Sequence, residues 1–97
     1  MFYDKQYVGE YGTEIAVDCG RDISQSYTHK LKVHKPDGRI VEWECEISLQ
    51  SKKVMRYIVQ EGDFDVAGEY EFQAVVGLNG WNGFGATAKL FIYDRLA

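Results

Sequence analysis

A Greek-key β-sandwich of about seven antiparallel strands is the fold this sequence predicts. Three observations predict it. Apolar and polar residues alternate with a period of two, and no segment keeps an i, i+3, i+4 pattern over about ten residues. Turn signals recur roughly every 8–12 residues, carried by ten glycines against a single proline. One of these turns, Lys35-Pro36-Asp37-Gly38-Arg39, has definite hairpin chemistry. A small closed barrel is the alternative that the same alternation allows.

The 97 residues read as one domain, 1–97, large enough to bury a core without staples. A 45% hydrophobic fraction with seven Tyr, five Phe and two Trp excludes a disordered chain. The formal charge of −4 argues against a nucleic-acid partner, which needs clustered Lys and Arg. No apolar run approaches the ~20 residues of a membrane-spanning helix, so no membrane partner is expected. Met1 reads as an intact start, and Met1-Phe2-Tyr3-Asp4-Lys5 lacks the basic and apolar regions of a secretory signal. Cys19 and Cys45 are too few for a disulfide scaffold and read as small, reduced core residues.

Phe2 to Val8 is aromatic and reads as an edge strand, with Gly9 and Gly12 bracketing the turn after it. Thr13 to Cys19 follows as a strand with Ile15, Val17 and Cys19 inward. Gly20 to Ser26 is polar loop chemistry with Ile23 as a candidate anchor. In the hairpin, Pro36 presets φ, Asp37 suits the next position and Gly38 takes the left-handed one, so Lys35 pairs with Arg39. The register behind it then sets Lys32 opposite Glu42, Lys30 opposite Glu44, Val33 opposite Val41 and Leu31 opposite Trp43. A slip by one residue would expose the apolar set, so the pattern selects the register.

Ser48 to Lys53 reads as a turn, and Val54 to Gln60 as a strand with Met55, Tyr57 and Val59 inward. Asp65 to Gly68 turns the chain into a strand whose inward positions are Tyr70, Phe72, Ala74 and Val76. The Tyr70 ring enters the core while its hydroxyl needs an acceptor, which corner backbone between Asp63 and Ala67 can supply. Gly77 to Gly83 reads as a loop, and Phe84 to Tyr93 as the last strand, with Ala88, Leu90 and Ile92 inward.

Little in the chain points to catalysis. His29 and His34 are an odd number of strand positions apart, so they face opposite ways and cannot share a metal. Cys19 and Cys45 have no C-x-x-C spacing. Glu61, Asp63 and Asp65 alternate in a loop without the twelve-residue calcium pattern, and Asp65 has a structural use at the strand entry. Glu42, Glu44 and Glu46 read as one solvated row facing lysines rather than an acid–base pair. Without a nucleophile-elbow, Walker or dinucleotide motif, the chain reads as a non-enzyme with no metal or cofactor.

Two surface features are candidates for recognition. One is the Gly77–Gly83 loop with Leu78, Asn79, Trp81 and Asn82, and Phe84 just beyond. Trp is enriched at binding hot spots and loops at sandwich ends carry recognition, though a Trp81 folded back as a lid is the plainer reading. The other is an outward row of Val75, Phe91 and Tyr93 on the last two strands. Such an apolar patch is covered by a partner, or here by the N-terminal strand.

Asp65-Val66-Ala67-Gly68-Glu69-Tyr70 resembles the entry to strand F of immunoglobulin-like domains, where the Tyr hydroxyl bonds back to backbone just upstream. That family carries a Cys two residues after the Tyr. Phe72 stands there, so the resemblance implies the fold without its disulfide. Three segments spread over about 60 residues are also similar to small immunoglobulin-like modules of tailed-phage structural proteins. They are Gly12-Thr13-Glu14-Ile15, then Lys35-Pro36-Asp37-Gly38 with Trp43 following, then Gly62 through Tyr70. This resemblance implies a non-catalytic structural or adhesion module of a phage-type particle, in the virion or, before assembly, in the host cytoplasm. Its implied partners are other virion or surface proteins, copies of itself included, and it carries over no binding residues. The alternative is a carbohydrate-binding module in which Trp81 and nearby aromatics stack on a glycan.

Overall fold

The computed structural model describes residues 5–78 and 81–95; for Trp81, Asn82, Phe84 and Ala86 it describes the backbone alone. In chain order its strands are β1 (Gln6–Tyr7), β2 (Glu14–Asp18), β3 (Thr28–His34), β4 (Ile40–Glu44), β5 (Glu46–Ile47), β6 (Val54–Ile58), β7 (Gly68–Leu78) and β8 (Trp81–Tyr93). Among the described residues there is no helix, and so none long and apolar enough to cross a membrane. A five-stranded sheet, β1-β8-β7-β3-β4, packs on a three-stranded sheet, β2-β6-β5. Only β1 and β8 pair in parallel; the other described pairings are antiparallel.

The β3–β4 hairpin has the register its turn chemistry dictates. Lys30 lies opposite Glu44, Leu31 opposite Trp43, Lys32 opposite Glu42 and Val33 opposite Val41. The Lys35 N–H donates to the Arg39 carbonyl at 2.8 Å, and Gly38 has φ of 91°. The charges do not follow the straight rungs: Lys30 reaches diagonally to Glu42 at 3.0 Å. No atom lies within 4 Å of where a Gly38 Cβ would stand, so only backbone strain opposes a side chain there. Gly38→Ala is therefore expected to cost about 1 kcal/mol, read as a thermal midpoint lower by roughly 4–8 °C.

The two turn motifs are clamped together. Lys35, itself largely buried, donates from Nζ to Asp65 at 2.9 Å, and the Arg39 guanidinium reaches the other Asp65 oxygen at 2.8 Å. Partial burial works against the charge on Asp65, but the hydrogen bonds from Lys35 and Arg39 outweigh it and hold the carboxyl below its ordinary range. Four residues before Tyr70, the corner closes. The Tyr70 hydroxyl donates to the Val66 carbonyl at 2.8 Å and accepts from the Val66 N–H at 3.2 Å. The Tyr70 ring is fully buried. Tyr70→Phe keeps the packing and orphans the Val66 groups, so it should lower the unfolding free energy by about 1–3 kcal/mol in a denaturant titration.

The core fills as the alternation requires. Met55, Val59, Tyr70, Phe72, Ala74 and Val76 are buried, and Ile23 anchors its loop in the same cluster. Phe64, just ahead of the corner, is also fully buried and meets Tyr70 edge-on at 5.4 Å.

Four expectations need correction. Glu46 does not continue the row of Glu42 and Glu44. The Cys45 N–H donates to His29 in the large sheet, whereas Glu46 pairs with Arg56 in the small one. The chain changes sheets there, which gives an eighth strand. Second, Gly77 to Gly83 is not a loop: Gly77 pairs with Asn82 and Leu78 with Trp81, leaving only Asn79 and Gly80, which lie outside the described residues. Third, Ala88 sits opposite the buried Phe72 yet is exposed. Among the described residues β1 covers β8 only at Ile92 and Tyr93, so at Ala88 the sheet ends with β8. Fourth, Cys19 is only half-buried, since it lies past the end of β2.

Candidate contact surfaces

The candidate residues separate into two groups at opposite ends of β8. Leu78 ends β7 and packs against the core; Trp81 and Asn82 open β8 opposite Leu78 and Gly77. Phe84 pairs with Val75 across a register shift between Gln73 and Val75, where β8 carries one extra residue. Gly85 lies in that bulge, and a Cβ there would meet the Ala74 Cβ at 3.2 Å, so the close approach wants glycine. Asn79 lies outside the described residues. Phe91 and Tyr93 stand at the far end, roughly 30 Å along the strand.

The expected row of Val75, Phe91 and Tyr93 is thus not one patch. Phe91 pairs with Glu69, six positions before Val75, and Glu71, Gln73, Thr87 and Lys89 occupy the rungs between. The structure does unite Phe91 with Tyr93, edge-on at 4.8 Å, and adds Tyr7 at 5.9 Å from Tyr93. Phe91 is 50% and Tyr7 37% exposed, and the Lys5 ammonium lies over the Tyr93 ring at 4.9 Å. The parallel β1–β8 pairing places Tyr7 beside Tyr93, a contact between chain ends that no local pattern announces.

Asp63 and His29, two of the groups considered for chemistry, have structural partners. Asp63 accepts from the Tyr57 hydroxyl at 2.5 Å and from the Gln60 N–H at 2.7 Å. Burial first, then this carboxylate, drives the Tyr57 hydroxyl well above its usual range. His29 is half-buried with Nδ1 3.0 Å from the Ser26 hydroxyl, and His34 is exposed. Among the described residues no three His, Cys, Asp or Glu side chains gather as a metal site.

Cys19 and Cys45 are unbridged. Burial, then the Glu44 charge, pushes the Cys45 thiol up to about 12; partial burial, then Asp18, raises Cys19. Cys45 is thus held as the protonated thiol near neutral pH, and the thiolate is the reactive form. A disulfide-exchange reagent should therefore leave Cys45 unmodified in the native chain and titrate two thiols after unfolding. Fast native labelling of Cys45 would contradict its burial.

No protein-family model, curated protein or solved structure matches the chain.

Proposed function

We propose that the chain is an immunoglobulin-like, non-catalytic module of a phage-type particle that works through protein–protein contact. The observation that carries the contact reading is the cluster of Tyr7, Phe91 and Tyr93, part-exposed aromatics grouped at one end of a sheet. Aromatic rings offer large, rigid apolar area and dominate binding hot spots.

The immunoglobulin-like part of the reading draws its support from topology and the corner. With β7 as strand F, the large sheet runs G, F, C through β8, β7, β3, and β2, β6, β5 stand where B, E and D belong. The Tyr70 hydroxyl bond to Val66 is the corner that family uses. One departure stands out: the buried Trp is on β4 rather than β3, and it packs on Phe72, where the family has its disulfide.

Particle composition tests this. In a lysate that produces the chain, it should copurify with intact tailed particles and be located on them by immunogold labelling. Phe91→Ser should lower its incorporation about tenfold, the effect of losing a modest hot spot, with an unchanged circular dichroism melt. A chain recovered only outside particles would overturn the reading.

A further inference from the structure

The face of the five-stranded sheet turned away from the core holds a hollow of about 200 Å³, lined by Lys32, His34, Glu71, Phe72, Gln73 and Thr87. Three strands build it: Lys32 lies opposite Gln73 and Gln73 opposite Thr87, while His34 lies opposite Glu71. Lys32 is half-buried, yet its cross-strand neighbour Glu42 is drawn away to Lys30 at 3.0 Å. Among the described residues neither Lys32 nor His34 has a side-chain hydrogen bond or ion pair.

Four of the side chains that line the hollow can donate a hydrogen bond into it. Lys32 offers an ammonium, His34 a ring N–H and Thr87 a hydroxyl. Gln73 donates one amide proton to the Gly85 carbonyl at 3.1 Å and keeps a second. The one carboxylate present, Glu71, lies 4.0 Å from the Lys89 ammonium. An acceptor-only, negatively charged group matches this set.

We propose that the hollow takes the carboxylate of an Asp or Glu side chain presented by a protein partner. The identity of the occupant as protein rests on the contact reading above. Two features favour a side chain over an acidic sugar. The Phe72 ring packs on Trp43 in the core, so the lining offers no Phe, Tyr or Trp ring for sugar stacking. The exposed Ile40, opposite His34, adds an apolar rim that a protein surface would cover.

The test is a ¹⁵N NMR titration of the chain with N-acetyl-aspartate methylamide at constant ionic strength. Its neutral asparagine isostere and glucuronate serve as comparison probes. The aspartate probe should give saturable shifts at the Gln73 side-chain amide and at the Lys32 and Thr87 backbone, and the asparagine probe none. Lys32→Ala should weaken binding about tenfold, the scale of one charge-assisted hydrogen bond, whereas Lys52→Ala should not. Shifts spread over all surface lysines, or an unchanged affinity in Lys32→Ala, would overturn the site. Glucuronate bound about tenfold more tightly than the aspartate probe would overturn the choice of occupant. Probe binding by a chain absent from particles would remove the particle reading and leave the carboxylate site standing. Particles containing a chain that gives no probe shifts would remove the site alone.

Discussion

Replacing Gly68 by Ala should destabilise the fold by about 2–6 kcal/mol, the sum of backbone strain and overpacking. Gly68 has φ of 132°, a region side chains rarely adopt. A Cβ built there would stand 2.6 Å from the Pro36 Cβ and 2.8 Å from its Cγ. Pro36 cannot swing aside, because its ring is fixed in a turn whose two flanks, Lys35 and Arg39, are tied to Asp65. Gly38 is the contrast: positive φ in open space, hence strain alone. A thermal midpoint lowered by more than ~10 °C is the expected reading for Gly68→Ala. Adding Pro36→Gly removes the obstructing atoms, so the double variant should lose less than the two single losses added together. A Gly68→Ala melt close to the parent's would mean the turns do not meet this tightly.

That contact shows where a sequence stops being readable. Each turn was legible alone, because turn chemistry is local: Pro36 and Gly38 dictate one hairpin, and Tyr70 two positions past Gly68 dictates a corner. Their meeting through Asp65 and Gly68 spans about 30 residues and leaves no periodic trace. The sheet change at Cys45 was hidden for another reason. Val41, Trp43, Cys45 and Ile47 keep one face inward through the crossing, so strict alternation continues while the partner strand changes. The β7–β8 connection did carry a signal, the Asn79-Gly80 pair typical of two-residue hairpin turns, but the glycines and Trp around it read as a longer loop. The hollow had none, since Lys32, His34, Glu71, Gln73 and Thr87 each look like ordinary outward strand residues. Only the diagonal choice of Glu42 leaves Lys32 without its expected partner.

Trp43→Ala should cost about 3–5 kcal/mol, against a total of roughly 5–15 kcal/mol for a domain of this kind. Trp43 is 6% exposed and joins both sheets. Its ring stacks on Tyr57 of β6 at 4.7 Å and 15°, and tilts against Phe72 of β7 at 5.7 Å and Phe64 at 6.1 Å. Three aromatic neighbours would lose one wall together, and rigid rings on three separate segments cannot all collapse inward to refill it. Dispersion contacts and the stacking preference with Tyr57 are both lost, beyond the apolar area returned to water. Trp43→Phe keeps a ring between the sheets and should lose less, so the pair separates cavity formation from simple loss of area. A urea titration gives both values at a common slope. If Trp43→Ala lost under ~1.5 kcal/mol, no more than a volume-conserving swap, the two sheets would not be joined through this ring.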